Sequence, residues 1–229
     1  MDGGYAVRLD GRPVKTPAKT PLVVPTEAMA QAIAVEWDAQ HGKVRPETMP
    51  VTRAANAALD KVTPQFDEVV GLLAAYGGTD LLCYRAAGPM ELVARQAAEW
   101  DPLLDWSARV LDAPLRATVG VIPVDQPAPS LARLTARVAG LTVFELTGFH
   151  DLVALSGSLL LALAVTDGRL SAAQAWQLSR LDEHWQAELW GRDDDAEAAE
   201  AVRLTGFLQA ERFYRLCHPA RCAPHRADA

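Results

Sequence analysis

Cysteine is scarce in this chain. Three stand in 229 residues, at Cys83, Cys217 and Cys222. An odd count in a chain of this length excludes a disulfide framework and fits a reducing compartment. Long apolar runs are lacking too. The longest, "LLLALAV" from Leu159 to Val165, is far too short to span a bilayer and reads as a buried helix. The N-terminus, "MDGGYAVRLDG", has neither an apolar signal core nor an Arg/Ser-rich amphipathic leader. The expected location is the cytoplasm. Basic charge is in deficit, with 22 Lys and Arg against 29 Asp and Glu and a net charge of −7. No run of Lys and Arg alternates with aromatics. Nucleic acid and anionic membranes are therefore poor partners, while a basic or neutral protein is allowed.

Whole classes of chemistry are missing as well. No glycine-rich loop ends in Lys-Ser or Lys-Thr, and G-x-G-x-x-G, H-E-x-x-H and G-x-S-x-G are all absent. The chain is expected to carry no nucleotide and no cofactor. Half of its residues are hydrophobic, enough to bury a core without staples in one large or two small domains.

The N-terminal part reads as strands. In "YAVRLDGRPVKTP", Tyr5, Val7 and Leu9 alternate onto one face, and Asp10-Gly11 offers the positive φ angles of a two-residue hairpin. Pro13 suits an edge position, and "PLVVP" (Pro21 to Pro25) is a short strand bounded by prolines. Thr26 is a good N-cap for a helix that aligns Met29, Ile33 and Trp37. Two further helical stretches follow, "VTRAANAALDKV" and "PQFDEVVGLLAAYGG", and "DLLCYR" (Asp80 to Arg85) reads as a buried strand.

After Gly88-Pro89 the pattern turns helical. "MELVARQAAEW" places Val93, Ala97 and Trp100 on one stripe, and Asp101-Pro102 restarts or kinks that helix. "LRATVGVIPV" alternates like a strand and is placed back at the N-terminal sheet. Helices are expected over Leu131–Ala139, Leu141–Thr166, Ala172–Trp190 and Ala196–Leu216. The fold class is α+β: an N-terminal two-layer α/β domain over residues 1–86 and a mostly helical domain over 87–229.

Few side chains suggest chemistry. Cys217, His218, Cys222 and His225 lack the close cysteine pair of a zinc site, so a frayed terminus is the better reading. Asp193, Asp194 and Asp195 precede an Ala-rich helix, where acids cap the N-terminus and oppose its dipole. His150 and Asp151 are adjacent on a helix and do not face each other. No metal site is expected.

The stretch "LDEHWQAELWGRDDDAE" (Leu181 to Glu197) is the exception. Ser171 and Gln174 make a capping box for its helix, and Leu178, Leu181, Trp185 and Leu189 form a core stripe. Seven residues make about two helical turns, so Trp176, Glu183 and Trp190 align on the opposite face, with Gln186 beside them. Either neighbouring helices bury both sides, or this face belongs to another protein, since tryptophan is enriched at interface hot spots.

These residues carry a resemblance. "LSRLDEHWQAELWG" resembles the hallmark of the ATP synthase assembly chaperones of mitochondria and alphaproteobacteria, of the "Atp-twelve" type that holds the α subunit of the catalytic head. "YAVRLDGRPVKTP", "PLVVPTEAMAQAIAVEWDAQ", "MPVTRAANAALD", "TDLLCYRA" and "QAAEWDPLLDW" agree in order, over nearly the whole chain. The resemblance implies a chaperone without enzyme activity. Such a chaperone binds unassembled α subunit, prevents its aggregation and releases it to the β subunit. It also implies an important acid in the matching helix, carried here to Glu183 ahead of Glu188. The pattern around that acid comprises Leu181, Asp182, Trp185, Gln186, Trp190 and Gly191. The implied partner-binding set is Glu183, Gln186, Trp190, Gly191, Trp176 and Asp182. Relatives carry a basic-aromatic segment ahead of "GYAVRLDG", which leaves open whether a first strand or an N-terminal arm is missing here, and "CHPARCAPHRADA" matches nothing in the family. Two other readings remain beside this one: a small-molecule enzyme using Glu183, Asp182 or His184 as acid or base, and a constitutive subunit of a larger complex.

Overall fold

The computed structural model describes residues 3–191 and 193–218. Four short strands come first: β1 (Tyr5–Ala6), β2 (Arg8–Leu9), β3 (Arg12–Pro13) and β4 (Val23–Val24). β2 and β3 form the expected hairpin, with Arg8 opposite Pro13 and Leu9 opposite Arg12. Asp10 (φ 49) and Gly11 (φ 78) are both left-handed, as this tight hairpin turn requires. β1 pairs instead with β4. That change of partner breaks the alternation: Val7 is buried, whereas Tyr5 and Leu9 are exposed.

Three helices follow: α1 (Glu27–Asp38), α2 (Pro50–Ala57) and α3 (Phe66–Ala75). Thr26 caps α1, its hydroxyl accepting from the Met29 N–H. Met29 and Ile33 are fully buried, and Trp37 packs against the same core. No neighbouring side chain caps α2. Glu36 of α1 does so from a distance, accepting from the N–H groups of Val51 (2.8 Å) and Thr52 (2.8 Å) and from the Thr52 hydroxyl (2.7 Å). Its negative charge also opposes the positive end of the α2 dipole. A wide turn at Ala58–Val62 and a tight one at Thr63–Gln65 carry the chain from α2 into α3 almost without interruption.

The remaining elements are β5 (Tyr84–Arg85), α4 (Met90–Val110), β6 (Thr118–Val119), α5 (Ala128–Ala139), α6 (Val143–Ser156), α7 (Leu159–Thr166), α8 (Ala172–Ser179), α9 (Leu181–Trp190) and α10 (Asp194–Leu216). Several expectations change here. The strand at Asp80–Arg85 shrinks to β5, because Asp80 caps a 3-10 turn at Leu81–Cys83. β6 pairs in parallel with β5, not with the N-terminal strands. α4 runs through Pro102 without restarting. The helix expected over Leu141–Thr166 is two. Gly157 takes φ +71, which disfavours side-chain-bearing residues, and Ser158 then caps α7 at the Leu161 N–H. α7 is apolar on every side, and each residue from Leu159 to Val165 is buried. The chain as a whole is thus α+β, with helix predominating.

The contacts divide the described chain into two compact units. One holds the residues up to Phe66, together with Thr142–Gly148 and those from Gln209 onward; the other holds Asp67–Leu141 and Phe149–Leu208. In the first unit Phe213 belongs to the core of Val7, Leu22, Met29 and Ile33, and Phe144 and Leu216 pack against it. In the second unit α4 packs on α7 and α9, and α7 on α8.

A Cβ on Gly148 would lie 3.1 Å from the Ala210 carbonyl oxygen and 3.2 Å from the Tyr214 backbone nitrogen, and backbone atoms cannot step aside. Overpacking costs about 1–3 kcal/mol, partly offset by alanine's better helix propensity of about 1 kcal/mol. Gly148→Ala should therefore lower the unfolding free energy in urea, and an unchanged midpoint would contradict this packing.

Asp80 is fully buried, and its carboxylate accepts from the Ser158 hydroxyl (2.8 Å) and the N–H groups of Leu160 (2.9 Å) and Leu82 (3.1 Å). Burial pushes its pKa up to about 6, against these hydrogen bonds, which favour the ionised form. The folded pKa lies above the unfolded value of about 3.9. Its contribution to stability is therefore complete below about pH 4 and is lost as pH rises through about 6. Wild type should lose about 3 kcal/mol relative to Asp80→Asn across that window. A pH-independent difference would show that Asp80 titrates normally.

Candidate functional site

The site grows from the junction of α8 and α9. Ser171 and Gln174 form the expected capping box at the start of α8. The helix expected to continue to Trp190 stops at Arg180, where the backbone turns to φ −113 and ψ 18, and α9 starts afresh at Leu181. Arg180 holds the corner together. Its N–H is shared by the carbonyls of Trp176 and Gln177, each at 3.2 Å. Its guanidinium lies 5.3 Å over the Trp176 ring and donates to Glu183 at 2.8 Å.

The corner separates residues that a continuous helix would have aligned. Trp176 is fully buried against Phe207, with ring centroids 5.5 Å apart. It lies beneath the surface, not on it. Within α9 the alignment survives. Glu183, Gln186 and Trp190 are all exposed, and their i, i+3, i+7 spacing makes one strip. Trp190 is 83% exposed and its neighbour Leu189 55%. Leu181 is buried and Trp185 half-buried, but Leu189, expected on the core stripe, faces water at the helix end. Gly191 closes α9 at φ +92, a conformation that suits glycine.

Two adjacent acids have different duties. Asp182 accepts from the Gln96 amide at 2.7 Å, and Gln96 in turn accepts from the Ala86 N–H at 2.8 Å. Gln96 is 1% exposed, so Asp182 braces α9 against α4. Glu183 pairs with Arg180 and keeps 56% of its side chain in solvent. A second tie joins Arg95 to Glu188 at 2.7 Å. That bond holds the Glu188 carboxyl below its ordinary range and raises Arg95.

α10 forms the opposite wall of a cleft. Asp193 starts it, accepting from the Ala196 N–H at 2.8 Å as the acidic run implied. Ala196, Glu197, Glu200, Ala201 and Leu204 line the cleft with Glu183, His184, Ala187 and Glu188 of α9, Gln177 of α8 and Arg95 of α4. Its volume is about 570 Å³. Glu200 accepts from Trp176 Nε1 at 3.1 Å and from His184 Nε2 at 3.0 Å. An ionised carboxylate only accepts, so Nε2 carries the proton. Burial opposes the ionised Glu200, yet the bonds from His184 and Trp176 hold its carboxyl below the usual range. The acid/base candidates Asp182, Glu183 and His184 therefore do not converge on one another: each is engaged by a different partner.

The other candidates lie apart. Cys217 is a half-buried thiol pushed up to about 12 by burial, and His218 bonds Glu145. Cys222 and His225 lie outside the described residues. Among the described residues no three His, Cys, Asp or Glu side chains gather as metal ligands, and no helix is long and apolar enough to cross a membrane. His150 and Asp151 do meet, Nδ1 to Oδ1 at 2.8 Å, contrary to expectation. Rotation about the side-chain bonds overcomes their divergent Cβ directions, and the pair is exposed. Sequence reasoning missed Arg95, Gln96, Arg180 and Glu200. The spacing of Glu197, Glu200, Ala201 and Leu204 could have marked one face of α10; their partners on other helices carry no such signal.

The division of labour is testable by stability alone. Asp182→Ala leaves the buried Gln96 amide unpaired and should cost about 1–3 kcal/mol. Glu183→Gln removes an exposed pair and should cost less than about 1 kcal/mol. Equal losses in thermal unfolding would reject the assignment.

Comparison with known proteins agrees with this architecture. A family described as ATP12 chaperone protein matches residues 1–108. Protein atp12, mitochondrial, of Schizosaccharomyces pombe is 25% identical over 229 residues, covering 95% of this chain and 79% of the relative. The crystal structure of Atp12 from Paracoccus denitrificans is similar at 56% identity and a TM-score of 0.92, covering 95% of this chain and 93% of that one. Atu1473 of Agrobacterium tumefaciens is similar at 42% identity and a TM-score of 0.89, covering 93% and 80%. With a relative of this identity matched over nearly its full length, the chain belongs to the ATP12 chaperone family.

Proposed function

We propose that this chain is an assembly chaperone for the F-type ATP synthase. It binds the unassembled α subunit of the catalytic head, keeps it from aggregating and yields it to the β subunit, in the bacterial cytoplasm. The client face is the strip of Glu183, Gln186 and Trp190, ending at Gly191 and supported from behind by Asp182 and Trp176. It lies in the helical region from residue 87 onward. The observation that carries this reading is Trp190, an indole left 83% in water beside a half-exposed Leu189. A large aromatic contributes about 1.5–3 kcal/mol when buried. Leaving one exposed on a capped, braced helix suits a side chain that is buried in a partner.

The physics of the task is consistent. An isolated subunit exposes the surface it will later share, and obligate interfaces are large and apolar, so the free subunit aggregates. Release needs no nucleotide if the next subunit competes for the same surface with higher affinity.

Co-expression of α subunit with this chain tests the proposal. Wild type should raise the soluble fraction of α, and Glu183→Gln and Trp190→Ala should abolish most of that gain while melting within a few degrees of wild type. Undiminished α solubility with both variants would return α9 to the status of scaffold. The chain should also be absent from finished synthase, where a constitutive subunit would be retained.

A further inference from the structure

We propose that the cleft between α9 and α10 takes a cationic, amphipathic segment of the client. This deepens the preceding reading and rests on it. Among the described residues five carboxylates border the cleft, those of Glu183, Glu188, Asp193, Glu197 and Glu200, against one guanidinium, Arg95, and the imidazole of His184. Ala187, Ala196, Ala201 and Leu204 lie among them. Small and apolar groups between acidic walls suit the alkyl stem of Lys or Arg, whose charged end then reaches a carboxylate.

The exposed Trp190 is an independent sign of the same chemistry. It stands on the same strip of α9 as Glu183, which lines the cleft, and an indole face attracts ammonium and guanidinium groups. An anionic partner would meet like charge, and a purely apolar one would strip water from carboxylates without pairing them.

The walls are set before any partner arrives. Glu200 is fixed by Trp176 and His184, Glu188 by Arg95, and Asp193 by the Ala196 N–H. Ordering these side chains therefore costs little on binding. Glu183 differs: its exposed pair with Arg180 is worth little in water, so it can exchange Arg180 for a cation of the client. The net charge of −7 draws the same partner from further away.

Binding of purified, unassembled α subunit to the full chain tests the cleft. Titrations at about 50 mM and about 500 mM NaCl differ mainly in the screening of exposed charges. Wild type should bind more weakly at high salt. The Glu183→Gln/Glu197→Gln double variant should bind about tenfold more weakly than wild type at low salt, a gap that closes at high salt. Salt-indifferent binding by wild type, or equal low-salt affinities for wild type and variant, would overturn the cationic segment and leave the α-subunit reading intact. No binding by wild type at either salt would overturn both. The wild-type salt series decides the matter even if the variant folds poorly.

Discussion

The carboxylate of Glu200 is the point on which the candidate site depends. One oxygen accepts from an indole of α8 and an imidazole of α9 while its own residue sits on α10. Three helices meet there, and two of them, α8 and α9, are too short to be stable alone. A charge-assisted bond is stronger than a neutral one, so a single ionised group holds both walls of the cleft in register. The rest follows: Trp176 is kept buried, the His184 Nε2–H is held on Glu200, and Glu183 is left exposed at the cleft with Trp190 further along α9.

The same device recurs elsewhere. Glu36 caps α2 from α1, and Asp80 binds the first turn of α7 from a turn almost eighty positions earlier in the chain. Each places an acid at a helix N-terminus, where free N–H groups and the dipole favour negative charge. Each also joins segments distant in sequence within one compact unit. This family member thus holds short helices by remote acidic caps where longer helices would rely on their own propensity.

That device decides what the sequence discloses. Local signals were legible: the Asp10-Gly11 hairpin, Thr26 as a cap, the Ser171/Gln174 box and the all-apolar α7 depend on residues within four positions of one another. Remote caps were not, because nothing in the spacing of Glu36 or Asp80 names the helix it will cap. The site was half legible for the same reason. The Glu183–Gln186–Trp190 strip is a property of α9 alone. The break at Arg180 is not visible from periodicity, because arginine is a good helix former and what holds the corner is its contact with the Trp176 ring and with Glu183. Extending one helix across it aligned Trp176 with a surface it underlies.

On the proposed function, a chaperone acting without nucleotide faces a constraint that this arrangement would answer. Its grip must be specific yet weaker than the assembly that replaces it, and specificity is a difference of affinities. The proposed client face, with one exposed indole and a row of carboxylates, is suited to that balance. Exposed charge pairs add little affinity but reject partners of the wrong sign, and they permit fast encounter. A larger apolar face would hold the client more tightly, and would also be an aggregation hazard whenever the chaperone is empty. On the proposed function, rigid walls and a modest apolar anchor would let the client be recognised by charge and surrendered by competition.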